Sequence, residues 1–370
     1  MTFTISSIAS STPATFAAGK LKLVGSGHCL PGNTINNKEL LSYLSATIGK
    51  TSARRAKIIA ARLGINSRYL SRDFVGRYSK ATPSSPQLGQ QAIILALQDA
   101  GLSIPNLTYQ PLSYLIGHTT SPHTLLPPNI SWVAEQLEHN QPYMELRQAC
   151  TGFANALQIA SAMLNTSQTT QPIAIMGSEV GSVYFDLHND FIDIQQLVNF
   201  VQMGDGAGAV VVASDDHSES SIISDIFIGH IGNNKVPGFY IPQGGADHVH
   251  CDKKLPYFEH NVEEVKQQGP DLFFLGLHAI LSRGYKLDDF RFILPHQVNG
   301  NIGKILSKAL NIDKERIIVD ADKLGNMGSA AIWTSLDILR HSGRLTKGDK
   351  VLILGAEATK YLYGGFIYQH

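Results

Sequence analysis

The chain carries one pattern twice. Ile173-Ala174-Ile175-Met176-Gly177-Ser178-Glu179 and Val351-Leu352-Ile353-Leu354-Gly355-Ala356-Glu357 match almost letter for letter. Each run closes a similar series. In the first half, a helical stretch at 90–100 leads to a strand at 112–116, a loop, a helix beginning at Cys150 and the closing strand. In the second half, a helical stretch at 272–281 leads to a strand at 290–294, a loop, a helix from about Gly328 and the second closing strand. Short Ile/Val/Leu runs alternating with helices indicate strands buried on both faces, hence α/β layers. Two copies predict a pseudo-two-fold molecule with its site where the halves meet. The expected divisions are an extension at 1–19, a first half at 20–215 carrying a nucleophile, and a second half at 216–370 carrying His and Asn. In this register Asn326 occupies the place of Cys150.

The 370 residues are 43% hydrophobic and 16% charged, enough for large cores. A formal net charge of zero argues against nucleic acid as a bulk partner. Cys29, Cys150 and Cys251 form no CxxC pair, which fits a reducing compartment and a cytoplasmic protein. Residues 1–19 lack the basic start of an export signal, and no apolar run reaches the ~20 residues of a membrane span.

Phe153, Ala156, Leu157, Ala160, Met163 and Leu164 fall at helical spacing directly behind Cys150. The cysteine therefore stands at a helix start, where unpaired N–H groups and the helix dipole favour a thiolate. His296 follows Phe292-Ile293-Leu294-Pro295, at the carboxyl end of a buried-strand pattern, where α/β sites collect. Asn326 lies in Leu324-Gly325-Asn326-Met327-Gly328, a glycine-flanked turn before the next helix. Together they make a nucleophile, an acid/base and a neutral hydrogen-bond donor. A papain-like protease would need Cys-Gly-Ser-Cys-Trp around the nucleophile, and a caspase pattern is broken at Thr151. Asp247-His248-Val249-His250-Cys251-Asp252 has metal-compatible types but reads as a loop, so no metal site is expected.

The motifs Leu23-Val24-Gly25-Ser26-Gly27, Ala149-Cys150-Thr151-Gly152-Phe153, Gly204-Asp205-Gly206-Ala207-Gly208, Pro295-His296-Gln297-Val298-Asn299 and Gly325-Asn326-Met327-Gly328-Ser329-Ala330 resemble those of β-ketoacyl-acyl-carrier-protein synthase III. The likeness runs from about Lys20 to the C-terminus. It implies a thiolase-like α-β-α-β-α fold and a homodimer that needs no cofactor. The implied reaction is a decarboxylative Claisen condensation in fatty-acid initiation or, as the departures below suggest, in specialised metabolism. An acyl group held on Cys150 would meet an enolate formed from a malonyl-type thioester. His296 and Asn326 would stabilise that enolate, and the backbone N–H groups of Cys150 and Ala358 would form an oxyanion hole. Substrates would arrive as coenzyme A or acyl-carrier-protein phosphopantetheine thioesters. The rival readings are a non-condensing acyltransferase or thioester hydrolase of the same fold, and a silent partner subunit.

The resemblance also has departures. Glu357-Ala358-Thr359 replaces a glycine triplet, so Glu357 is expected to border the site and handle a substrate proton, with Lys360 as its partner if it is structural. Ile58 stands where the family stacks a tryptophan on adenine. Residues 50–72 hold Lys50, Arg54, Arg55, Lys57, Arg62, Arg68 and Arg72 with no acid, pointing to an anionic docking partner. Arg54, Arg55, Arg62 and Asn299 are the expected docking residues. Leu126, in a loop at 121–128, is expected to reach the acyl pocket of a neighbouring subunit.

Overall fold

In the computed structural model, residues 13–74, 81–166, 171–215, 220–246 and 256–370 are described. Most of the extension and the cluster at 247–252 lie outside them. The first half supplies β1 (Leu21–Cys29), β2 (Tyr114–His118), β3 (Tyr143–Leu146), β4 (Ile173–Glu179) and β5 (Gly206–Ser214). The second supplies β6 (Ile222–His230), β7 (Phe292–Pro295), β8 (Lys350–Glu357) and β9 (Leu362–Gln369). The sheet runs β7-β8-β9-β6-β1-β5-β4-β2-β3. Read outward from its middle, the two sides repeat one another. The β2–β4 and β7–β8 pairs are parallel, and the next two pairings on each side are antiparallel. The sides join through a short β1–β6 contact at Leu21–Lys22 and Ile222–Ile223.

Helices fill the remaining layers: α1 (Asn37–Thr47), α2 (Lys50–Leu63), α3 (Ser85–Asp99), α4 (Asn129–Gln136), α5 (Gly152–Thr166), α6 (Ile194–Gln202), α7 (Val262–Leu281), α8 (Ile302–Leu310) and α9 (Ala331–His341). The closing strands show why the layers form. Ile173 and Ile175 of β4, with Val351 and Ile353 of β8, join the central core of Phe153, Leu157, Trp333 and Leu336 from α5 and α9. Ala174 and Met176 face the other way onto Leu88, Ala92 and Ile93 of α3. Leu352 and Leu354 likewise face Leu272, Leu275 and Ile280 of α7. This period-two alternation, apolar on both faces, requires a helix on each side. The result is the expected α-β-α-β-α duplication. A separate cluster of Leu40, Ala56, Phe74, Phe185 and Phe200 holds α1, α2 and α6 together as a cap.

Candidate active site

Cys150 stands just ahead of α5, in a turn where the Gly152 N–H donates to the Ala149 carbonyl at 3.0 Å. It is half-buried. Gly355 of β8 passes so close that a side-chain carbon there would lie 2.6 Å from the Phe153 ring and 3.2 Å from the Cys150 carbonyl. Only glycine permits that approach. The expected thiolate is not the resting form. Burial, then the Glu357 carboxylate, then that of Glu179, push the thiol well above its ordinary 9.0. A helix end offers about half a charge, and two carboxylates in a desolvated site outweigh it.

His296 directly follows β7, and its N–H donates to the Leu354 carbonyl at 2.7 Å. Leu354 adjoins Gly355, so the imidazole is anchored beside the strand that touches Cys150. Burial pulls His296 down to about 4, leaving a neutral imidazole near neutral pH. Asn326 is reached through Gly325, whose φ of +72° and 2.8 Å approach to the Met203 carbonyl exclude a side chain. The Asn326 N–H donates to the Gln202 carbonyl at 2.7 Å, and its own carbonyl accepts from Gly204 at 3.0 Å. Asn326 Oδ1 accepts from the Gly328 N–H at 3.1 Å, so Nδ2 is the end that can donate to an incoming oxygen.

Two glutamates tie the halves reciprocally. Glu357 Oε2, at the end of β8, accepts from Thr151 N–H at 3.0 Å and Thr151 Oγ1 at 2.7 Å. Glu179 Oε2, at the end of β4, accepts from Ser329 N–H at 3.1 Å and Ser329 Oγ at 2.9 Å. Thr151 and Ser329 precede their own half's glutamate by the same number of residues. This corrects the register: Gly328, not Asn326, is the counterpart of Cys150. A side chain at 328 would meet Glu179 Oε2 at 2.6 Å, so the second half has no room for a nucleophile there.

The same gap-free register makes His118, at the end of β2, the counterpart of His296. His118 is buried, its Nε2 accepts from Trp333 Nε1 at 3.0 Å, and burial pulls it down to about 3. Sequence reasoning missed Thr151, Ser329, Glu179 and His118. The constant interval between the repeats was the available signal.

Glu357 Oε1 accepts from Thr359 Oγ1. Lys360 is not its partner, because Lys360 Nζ donates to the Lys235 carbonyl across the turn. Ala358 opens that turn, and its carbonyl accepts from the Gly238 N–H at 3.0 Å. Arg54, Arg55 and Arg62 are exposed on α2, but the basic stretch divides. Arg68 and Arg72 are buried and cannot dock a partner. Arg68 donates to Asn37 Oδ1 and the Val201 carbonyl, both at 2.8 Å, inside the cap. Asn299 Oδ1 accepts from the Asn301 N–H, and Asn301 Nδ2 donates to the Arg62 carbonyl at 2.8 Å, which joins these docking candidates. Ile58 is 54% exposed amid the α2 cations, and Leu126 is 85% exposed on its loop. Among the described residues no His/Cys/Asp/Glu group could hold a metal ion. No described helix is long and apolar enough to cross a membrane.

Family models agree with this geometry. Residues 144–230 match the 3-oxoacyl-[acyl-carrier-protein] synthase III model, and residues 281–368 match the C-terminal model of the same enzyme. Similar proteins include β-ketoacyl-[acyl-carrier-protein] synthase III of Syntrophomonas wolfei, 28% identical over 94% of this chain and 97% of the relative. The Rickettsia rickettsii enzyme is 27% identical over 91% and 96%. A tetronic acid condensing enzyme superposes with a TM-score of 0.78 at 22% identity, covering 95% of this chain and all of that one. The first matched segment carries Cys150 and the second carries His296 and Asn326, and the chain is a condensing acyltransferase of the 3-oxoacyl-[acyl-carrier-protein] synthase III type.

Proposed function

We propose that this ketosynthase accepts an acyl group on Cys150 from a coenzyme A or carrier-protein thioester and extends it with a malonyl-type thioester. The thiol first loses its proton, and neutral His296 is the base available to take it. The sulfur then attacks the thioester carbonyl and expels the carrier thiol, which takes up that proton. In the second half-reaction the malonyl carboxylate leaves as carbon dioxide. The electron pair it leaves behind forms an enolate, whose oxygen is met by donors from His296 and Asn326 Nδ2. The enolate carbon attacks acyl-Cys150, with the N–H groups of Cys150 and Ala358 facing the developing oxyanion; the carbon–sulfur bond then breaks, and the expelled Cys150 thiolate takes a proton from solvent.

The observation that carries this reading is the Asn326 amide, whose Oδ1 is taken by Gly328 so that Nδ2 is left to donate. Simple acyl transfer or hydrolysis needs no such second donor. Exposed Arg54, Arg55 and Arg62, with Asn299 beside them, would receive the anionic carrier or coenzyme A phosphates. Ile58 replaces an adenine-stacking ring, which favours a carrier protein over coenzyme A. The departure at Ile58 favours specialised metabolism over general fatty-acid initiation. Exposed Leu125 and Leu126 and the edge position of β3 favour a homodimer. Intact-mass measurement of Cys150 against a panel of acyl-coenzyme A and acyl-carrier thioesters tests the reading. A mass gain equal to the acyl group, lost on addition of malonyl carrier, is expected. No adduct with any thioester would overturn it.

A further inference from the structure

The Cys150 turn is held by a residue type that simple helix-start chemistry would not choose. Glu357 is 2% exposed, and both its oxygens are engaged by hydroxyl or N–H donors of Thr151 and Thr359. Thr151 follows the nucleophile directly, and α5 begins one residue later. The carboxylate therefore grips the turn through two bonds to one residue, while Gly355 on the same strand lies against the Cys150 carbonyl. Glu179 repeats the grip on Ser329 in the opposite half, and Ser329 Oγ also reaches the Gln148 carbonyl at 3.3 Å. The nucleophile turn is thus bounded by one carboxylate from each half.

We infer that Glu357 is a positioning residue, which locks the Cys150 turn through Thr151 and places a fixed negative charge beside the sulfur. A carboxylate whose two oxygens are both engaged by donors of its own chain is poorly placed to shuttle a substrate proton. Its charge opposes the helix end, so the free enzyme keeps a thiol, and the direction of the Cys150 shift agrees. The other titratable groups around the turn do not reverse this. His296 and His118, from the ends of β7 and β2, are neutral through burial. Glu179 adds a carboxylate of the same sign, itself pushed up by burial. Arg147, three residues before Cys150, is exposed, and Tyr184 is held protonated by burial and then by Glu179. The functional consequence is a nucleophile that resists stray electrophiles and oxidants and reacts when a thioester is seated against His296.

The test is the pH dependence of Cys150 alkylation by iodoacetamide, read by mass on the intact protein. It needs no thioester, so it stands or falls separately from the condensing reaction proposed above. Wild-type enzyme should show its half-maximal rate above pH 9. A midpoint below pH 8 would overturn the inference with no variant required. Glu357→Gln keeps the shape and removes the charge, so its midpoint should fall by about one unit or more, a roughly tenfold faster reaction near pH 7.5. Glu357→Asp should restore a wild-type midpoint, and Glu179→Gln should shift it in the same direction by less. A Glu357→Gln profile that superimposes on wild type would show that the residue is a structural anchor only.

Discussion

At the residue scale, the three candidate side chains differ in what their removal should do. Cys150→Ala should give no acyl adduct with any thioester. His296→Ala and Asn326→Ala should still be acylated, yet lose malonyl decarboxylation by about 10²–10³-fold, the effect of deleting one donor to a developing oxyanion. The comparison is made by pairing intact-mass acylation with carbon dioxide release. Asn326→Ala condensing at the wild-type rate would remove Asn326 from the mechanism. The positions of Cys150 and His296 were legible in the sequence, because a helix start and a strand end are local features. The ionisation state of the thiol was not, because it depends on carboxylates brought from β4 and β8.

At the element scale, α2 turns its apolar side, Ala56 and Ala60, into the cap and presents Arg54, Arg55 and Arg62 to solvent. Its last turn is fastened to the segment after His296 by Asn301 Nδ2 on the Arg62 carbonyl and by the Gly300 N–H on the Leu63 carbonyl at 2.9 Å. Charge reversal at Arg54, Arg55 or Arg62 should therefore raise KM for the carrier thioester several-fold with little change in kcat. The defect should shrink at high salt, where exposed charges are screened. Steady-state kinetics at two ionic strengths decide it, and an unchanged KM for every thioester would end the docking assignment. The limits of the elements differ from those expected. The strand expected at 112–116 is Tyr114–His118, since Leu112 is buried ahead of the ladder. The helix expected from 272 begins at Val262, ten residues earlier, because its first turns carry few buried apolar residues to mark it.

At the scale of the whole molecule, a homodimer would cover the Leu125–Leu126 apolar pair. Leu126→Trp should then shorten the longest acyl chain accepted, by filling a partner's pocket, which product analysis across chain lengths would reveal. A stable, active monomer would contradict it. A second prediction concerns the seam where α9 meets β1 and α3. Asp337 accepts from Ser26 Oγ at 2.5 Å and pairs with His28 Nδ1 at 2.6 Å. Asp99 pairs with Arg340 at 2.7 Å and His341 at 3.1 Å. Burial pushes both carboxyls up, but their hydrogen bonds and cations prevail and hold them below the ordinary 3.8. His341 is raised above 6.5 by Asp337 and Asp99 in spite of burial. The carboxylates therefore add stability above about pH 4 that is lost as pH falls through their lowered values. His341 adds stability below 6.5 that is lost as pH rises through its raised value. Thermal melting should decline slightly from pH 6 to 8, by well under about 1 kcal/mol because His341 is half exposed, and His341→Gln should remove that decline.

The sequence by itself determined the duplication, the layered α/β class, the helix start at Cys150 and the strand end at His296. Each is encoded by periodicity or by adjacent residues, and close packing leaves such patterns few alternatives. Only the tertiary structure decided that Arg68 and Arg72 are buried, that Gly328 lies against Glu179 with no room for a side chain, and that Glu357 grips Thr151 while Lys360 turns to Lys235. Those outcomes depend on which buried groups meet across distant parts of the chain. A charge or hydrogen bond takes its strength from that environment, and the order of letters alone does not carry it.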